Sequence, residues 1–268
     1  ILSAGIALSL SGFIIQNITE NPLADSGTIG ITSGASAGSV AFLLIADHFK
    51  LTGLWNFSYP IFALIGALLS FALIYFFALR KQVSSVRVLL TGIAITAFFQ
   101  ALITIGQLSV NAFDFQKVAV WLSGDIWQTG STYLFICVLL LVIGLIILPF
   151  FLRKLEILSL GEEMATTLGL EVQKTKIYLY LLALLFAAVG VLLVGGLAFV
   201  GLIAPHIARE IAGFKSRKSL IATALSGMII LSFADIISQT IIAPSSLPLG
   251  FVVAFIGAPY YIYLIQKV

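Results

Sequence analysis

The sequence is poor in charged residues. Lys, Arg, Asp and Glu make up 9% of the 268 residues, whereas 60% are hydrophobic. Soluble domains carry roughly a quarter charged residues. A chain with so few charges cannot cover a surface that faces water, so lipid must solvate most of its exterior. The net charge of +3 comes from short Lys and Arg clusters between apolar runs, which does not indicate binding to nucleic acid.

Residues that carry catalytic or metal chemistry are also scarce. The single cysteine, Cys137, lies inside an apolar run, which excludes an intrachain disulfide and a cysteine metal site. The two histidines, His48 and His206, lie in different apolar segments, where packing or capping is the more common role. No Gly-x4-Gly-Lys-Ser/Thr loop, His-Glu-x-x-His pair or Gly-x-Ser-x-Gly elbow occurs. We expect no catalytic residues, no metal site and no cofactor bound by this chain.

Long apolar runs dominate what is present. A bilayer core about 30 Å thick needs about 20 apolar residues per helix. The runs predict an all-α polytopic membrane protein with a single transmembrane domain over residues 1–268. The nine predicted spans are 1–17, 28–46, 57–79, 88–109, 131–152, 175–195, 197–212, 219–240 and 247–266.

The distribution of Lys and Arg predicts the orientation. Basic residues are enriched in cytoplasmic loops of membrane proteins. With nine spans and a cytoplasmic C-terminus, only Lys50 and Lys117 fall outside. The other twelve basic residues fall inside, and they are Arg80, Lys81, Arg87, Arg153, Lys154, Lys174, Lys176, Arg209, Lys215, Arg217, Lys218 and Lys267.

Two connections are long enough to contain helices. The outer segment 110–130 is amphipathic, which predicts an interfacial helix over 113–122 anchored by Trp121 and Trp127. The inner segment 153–174 contains Ser159 followed by Glu162, a pattern typical of a capping box that starts a helix. Gly169 fits the end of that helix.

Polar breaks interrupt the apolar pattern at two places. Asn21-Pro22 lies in a loop predicted to be cytoplasmic, and Pro205-His206 lies within the seventh span. Irregular backbone at membrane depth often lines a transport path. A tight turn at Pro22 and a harmless kink at Pro205 are equally good interpretations. Asp235 is the only acid deep in an apolar run, near its outer end, where we favour a structural role.

Glycines recur at one helical spacing in the second span. Gly30, Gly34 and Gly38 form a doubled small-xxx-small pattern, which lets helix backbones approach closely in lipid. We expect plain helix packing from this pattern.

A series of short sequence blocks extends along essentially the whole chain. The blocks are LSGFIIQ at 10–16, NPLAD at 21–25, GITSGA at 30–35, LLTGIA at 89–94, WLSG at 121–124, LSLGEE at 158–163, LG at 168–169, FVGLIAPHIAR at 199–209, AD at 234–235, LPLG at 247–250 and GAP at 257–259. In this order the blocks resemble the permeases of iron-siderophore, haem and vitamin B12 ABC importers.

The resemblance implies a fold of ten transmembrane helices, of which nine are visible and the first is missing before Ile1. It implies coupling helices at 156–172 that dock onto an ATPase subunit. The residues matching that coupling segment are Ser159, Leu160, Gly161, Glu162, Glu163, Met164, Leu168 and Gly169. The inner gate loop is assigned to Asn21, Pro22 and Leu23. The outer gate is assigned to Ser109 and Asn111. The broken span along the path contains Pro205 and His206.

The resemblance also implies partners and a location. These are a second permease subunit, two ATP-binding cassette subunits that bind ATP and Mg²⁺, an extracellular or periplasmic binding protein, and the bilayer of a bacterial cytoplasmic membrane. In the vitamin B12 branch a basic residue follows the Ala-Asp pair and docks the binding protein. Here Gln239 stands at that position.

The predicted function is translocation of a ferric siderophore, with haem or cobalamin as alternative substrates. A different class, an ion-gradient-driven secondary transporter, would need acids embedded in the membrane, and Asp235 is the only candidate. A membrane-embedded enzyme is a third class, which the lack of a nucleophile or metal constellation disfavours.

Overall fold

A computed structural model describes residues 1–27, 29–48, 55–80, 85–109, 112–124, 131–213, 217–243 and 245–267. These ranges contain helices joined by turns and short irregular segments and no strand, which confirms the all-α prediction. A π-helical turn, Tyr75–Leu79, follows α3 directly. The helices are α1 (Leu2–Thr19), α2 (Ile31–His48), α3 (Trp55–Ile74), α4 (Ser85–Leu108), α5 (Ala112–Leu122), α6 (Ser131–Ile147), α7 (Pro149–Leu158), α8 (Glu162–Thr167), α9 (Val172–Val194), α10 (Val200–Ala212), α11 (Arg217–Thr240) and α12 (Leu249–Lys267).

Each of the nine predicted spans contains a helix, but the count of nine is not confirmed. Within the described ranges, five helices are long and apolar enough to cross a membrane, and the bent pair α6–α7 would make a sixth. The apolar parts of α2 and α12 are shorter, at Ile31–Ile45 and Leu249–Ile262. Helix α10 has 13 residues, about 20 Å of helix, which is less than the roughly 30 Å of a bilayer core.

Helix α1 lies at the centre of the bundle, with 78% of its residues buried. It packs against α9, α10 and α11 at positions where it carries small residues. A Cβ added to Gly5 would lie 2.6 Å from the Gly227 carbonyl oxygen of α11. Ser11 donates its hydroxyl to the Ala183 carbonyl of α9 at 2.8 Å. Small side chains therefore let three helices approach α1 closely.

Helices α2 and α3 form a second close pair. Gly34 and Gly38 of α2 face Gly66 of α3, and a Cβ at Gly34 would lie 2.6 Å from the Gly66 carbonyl oxygen. The packing role predicted for these glycines is confirmed. Gly30 does not belong to this face, because it precedes α2 and has a left-handed φ of 89°.

The span predicted to end at residue 152 continues to Leu158 with a bend. Helices α6 and α7 meet at 54° around Leu148. Pro149 is the first residue of α7, and its ring removes a backbone donor from the ladder at this point. The segment 153–158 is therefore helical rather than the start of a loop.

The short helix predicted after Ser159 exists, but its capping box does not. The Ser159 hydroxyl donates to the Glu156 carbonyl behind it at 2.8 Å, and the N-cap of α8 is Gly161, which has a φ of 96°. The predicted stop at Gly169 is confirmed, with a φ of 83°. The Gly169 and Leu170 amides donate to the carbonyls of Thr166 and Ala165, which is the Schellman arrangement.

The bundle has two ends that matter for the site. The α8 end carries α8, the start of α9 and the end of the π-helical turn; the α5 end lies opposite. Helix α5 confirms the predicted helix over 113–122. Trp121 is 2% exposed and belongs to the protein core, so its predicted role as an interfacial anchor is wrong. Trp127 lies outside the described residues.

Candidate translocation and coupling site

The gate loop, residues 20–30 between α1 and α2, begins with a tight turn. The Ala24 amide donates to the Asn21 carbonyl at 3.2 Å, and the Leu23 amide donates to the Asn21 side-chain oxygen at 2.9 Å. Pro22 occupies the second position of this turn, where its fixed φ is favourable. The turn interpretation of Asn21-Pro22 is therefore confirmed, and a gating role remains a prediction.

Several residues further along the gate loop are buried in the protein. Ala24 and Ile29 are fully buried, Ser26 is 2% exposed and Asp25 is 6% exposed. The Asp25 carboxylate accepts the Ser26 amide at 2.7 Å and lies directly over Gly201, in the first turn of α10. A carboxylate is favoured at a helix N-terminus, where unpaired amides and the helix dipole provide positive charge.

The break in the seventh span occurs before α10 rather than at Pro205. Residues 195–199 are not helical, whereas α10 runs unbroken through Pro205. The start of the broken stretch is covered by protein, since a Cβ on Gly195 would overlap the Trp121 carbonyl of α5, whereas Ala198 is exposed. It ends at Phe199, a non-glycine residue with a left-handed φ of 70°. Irregular backbone at membrane depth is tolerated in such covered places.

Gln16 of α1 compensates for the amide that Pro205 lacks. A proline at position 205 leaves the Gly201 carbonyl without its helical donor. The Gln16 amide donates to the carbonyls of Gly201 at 3.3 Å and Leu202 at 3.2 Å, and the Gln16 oxygen accepts a hydrogen bond from Arg209. We call Gln16, Asp25, Gly201 and Arg209 the α1–α10 joint.

A double substitution tests whether Gln16 supplies the donor that Pro205 lacks in the α1–α10 joint. We expect Gln16→Leu to lower the free energy of unfolding by about 1–3 kcal/mol, because it leaves the buried Gly201 carbonyl unpaired. In a Pro205→Ala background the alanine amide can donate to that carbonyl, so the same substitution should cost about 1 kcal/mol less. Thermal unfolding of the four proteins in detergent measures this difference. Asn17→Leu is the control, because the Asn17 amide donates within α1, to the Phe13 carbonyl, at 2.6 Å. If Gln16→Leu costs the same free energy of unfolding in both backgrounds, Gln16 does not replace the missing amide of Pro205.

The structure brings some predicted path residues together. Leu23 of the gate loop and Tyr260 of α12 both pack against the buried Leu202 and Ile203 of α10. His206 also faces α12, with its ring 5.8 Å from that of Tyr260, and its Nε2 lies 3.8 Å from the Glu210 carboxylate. The gate loop, α10 and α12 thus share one apolar cluster.

The predicted outer residues that the structure describes, Ser109 and Gln239, are exposed near helix ends. Ser109 follows the last residue of α4 and is exposed, with its hydroxyl donating to the Ile105 carbonyl at 2.8 Å. Asn111 lies outside the described residues. Gln239 is exposed near the end of α11 and donates its amide to Asp235 at 2.8 Å. The Asp235 carboxylate thus accepts a hydrogen bond from a neighbour on its own helix, and the structural role favoured for it stays a prediction.

The coupling segment presents exposed apolar side chains around α8. Leu160, Met164 and Leu168 are 50%, 55% and 58% exposed, whereas Ala165 is fully buried under the helix. Glu162 forms an ion pair of 2.6 Å with Lys176 of α9. Just beyond α8, a hydrogen bond from Lys174 holds the pKa of Glu171 below its ordinary value.

Sequence reasoning missed the joint. Gln16 and Arg209 lie within blocks quoted for the resemblance, but neither received a role. The available signal was a polar Gln at the end of an apolar run together with a proline inside a short span. Among the described residues, no group of three His, Cys, Asp or Glu side chains is placed to hold a metal ion.

Comparison with known proteins identifies the family. The FecCD transport family model matches residues 1–267. The chain belongs to the FecCD transport family. Its members are permease subunits of ABC transporters, which are not themselves enzymes.

Two relatives show how similar the chain is to named permeases. It is 38% identical over 268 residues to the iron(3+)-hydroxamate import system permease protein FhuG of Bacillus subtilis, covering 99% of this chain and 80% of the relative. It is 33% identical over 266 residues to the Fe(3+) dicitrate transport system permease protein FecD of Escherichia coli, covering 99% and 81%. The similarity to these two relatives thus extends over nearly the full length of this FecCD-family chain.

A solved structure supports the fold. An ABC transporter assigned to the metal-chelate type, in an inward-facing conformation, superposes with a TM-score of 0.87 at 25% identity, covering 100% of this chain and 85% of that one. PsaBC of Streptococcus pneumoniae, solved with a Fab, superposes with a TM-score of 0.67 at 18% identity and supports the fold alone.

Proposed function

We propose that this permease carries a ferric siderophore across the bacterial cytoplasmic membrane as part of an ATP-driven importer. Two relatives named as permeases for iron(3+)-hydroxamate and Fe(3+) dicitrate support this substrate class. The transporter would contain a second permease subunit, two ATP-binding cassette subunits that bind ATP and Mg²⁺, and an external binding protein that delivers the chelate. Gln239, beside Asp235, would lie on the surface that meets the binding protein.

The α8 end is proposed to face the cytoplasm. Twelve of the 14 Lys and Arg residues fall on that side when the C-terminus is placed inside, and basic loops favour the cytoplasm. Asn21, Pro22 and Leu23 would then form the inner gate, and Ser109 and Asn111 part of the outer gate. Pro205 and His206 would lie along the path between the gates.

The observation that carries the proposal is the surface of α8. Met164 and Leu168 are more than half exposed beside Glu162 and Glu163, which form the first turn of the helix. A cytoplasmic helix that presents apolar side chains to water is expected to be covered by a partner. We assign that partner to the ATPase. Closure of the ATPase subunits around ATP would move α8, and this movement would close one gate and open the other. Such coupling requires that the two ATPase states contact α8 differently.

Uptake in cells tests the proposal and its main rival. Cells that lack the chromosomal copy are given the gene on a plasmid and offered radiolabelled ferric hydroxamate, ferric dicitrate, haem or cobalamin. We expect uptake of a ferric chelate that stops when arsenate depletes ATP and persists when a protonophore collapses the ion gradient. The reverse pattern would favour a secondary transporter, and uptake of haem or cobalamin alone would overturn the substrate assignment.

A further inference from the structure

A cleft of about 350 Å³ lies at the α8 end, between α8, the first turns of α9 and the end of the π-helical turn. Lys176 of α9 contacts Glu162 of α8 at 2.6 Å. Gln173 of α9 donates its amide to the carbonyl of Leu79, the last residue of the π-helical turn, at 2.6 Å. Because residues three apart share one face of a helix, Lys176 and Gln173 connect both walls of the cleft to the same face of α9.

Helix α3 connects this region to the gate loop. The Ser70 hydroxyl of α3 is fully buried and donates to the Gly30 carbonyl, at the last residue of the gate loop, at 2.7 Å. Ser70 precedes Leu79 by nine residues, which is about 13 Å along a helix axis. The contacts run in sequence from α8 to α9, from α9 to α3, and from α3 to the gate loop.

We propose that Gln173 is a positioning residue that transmits the movement of α8 to the inner gate through the Leu79 carbonyl. The inference rests on the proposed function, in which an ATPase moves α8. The chain itself joins α8 to α9 at residues 168–171, and Gln173 connects α9 across the cleft to the end of the π-helical turn. The last carbonyls of a helix lack intrahelical partners, which leaves the Leu79 carbonyl suited to accept a side-chain donor.

The test compares substitutions at Gln173 in the permease–ATPase complex reconstituted in proteoliposomes. Gln173→Glu keeps the shape of the side chain but replaces the donor with a carboxylate that repels the carbonyl. We expect assembly and ATP hydrolysis within twofold of the unmodified complex, with chelate uptake per ATP lowered at least fivefold. Gln173→Lys restores a donor and should recover at least half of the coupling. Lys174→Gln, at an exposed position in the same turn, is the control and should leave coupling unchanged.

A second measurement follows the gate directly. In a Cys137→Ala background, Asn21→Cys reports the accessibility of the inner gate to a thiol reagent. We expect nucleotide to change this labelling in the otherwise unmodified chain and to leave it unchanged with Gln173→Glu. Normal coupling in Gln173→Glu, or equal loss in Gln173→Glu and Gln173→Lys, would overturn the role of the donor. Uptake by the unmodified permease reconstituted without the ATPase would instead overturn the proposed function.

Discussion

A double substitution of Met164→Glu and Leu168→Glu is expected to abolish co-purification of the ATPase and reduce uptake to background. Fully burying one such side chain contributes about 1.5–3 kcal/mol, and these two are 55% and 58% exposed. Losing about 1 kcal/mol at each position, together with the several kcal/mol needed to desolvate each carboxylate, weakens binding by at least about 100-fold. Affinity purification of the tagged permease, followed by ATPase activity and uptake, measures the effect.

The matched control keeps both positions apolar. Met164→Leu with Leu168→Met exchanges the two side chains at nearly constant volume, a change that usually costs less than about 1.5 kcal/mol. We expect this variant to retain the ATPase and its uptake. If the doubly charged variant binds the ATPase normally, α8 is not the docking helix.

The second large effect is expected from Gly12→Ala, which should remove most folded protein from the membrane. A Cβ at this position would overlap the backbone of Gly201, at the start of α10. Backbone atoms of two packed helices cannot move aside as a flexible side chain can. We expect a loss of more than about 3 kcal/mol, beyond the usual cost of overpacking. Size-exclusion chromatography of a fluorescent fusion in detergent measures the folded fraction.

Gly106→Ala provides the comparison, because its Cβ would meet only the side-chain ends of Leu44 at 3.0 Å and Val40 at 3.6 Å. Both substitutions gain about 1 kcal/mol of helix propensity, so the difference between them isolates the packing at the α1–α10 crossing. We expect Gly106→Ala to give a normal elution profile. A normal profile for Gly12→Ala as well would mean that α1 and α10 do not cross at these glycines.

Sequence periodicity and composition predicted the helices because their physical signals are local. Apolar runs, the glycine that ends α8 and the glycines that pair α2 with α3 each follow from short-range chemistry. The capping box failed because Ser159 still belongs to the last turn of α7 and bonds backwards to Glu156. The same four-residue pattern fits both arrangements, and only the position of the preceding helix separates them.

The candidate site was harder to predict because its contacts are distant in sequence. Gln16 and Gly201 lie 185 residues apart, and no local pattern indicates that one satisfies the other. The break at 195–199 was placed at Pro205 because proline is the usual cause of an interrupted helix. In the folded chain Gln16 supplies a donor where Pro205 has none, so α10 continues through it.

Transport by the purified complex tests whether the permease moves its substrate only with an ATPase partner. Permease, ATPase and binding protein are reconstituted in sealed vesicles, and ATP is placed on the side that carries α8. We expect ferric chelate to cross toward the ATP side only when ATP is hydrolysed there, and vesicles without the ATPase to transport none. Equal transport in the absence of the ATPase, driven by an imposed ion gradient, would contradict this expectation.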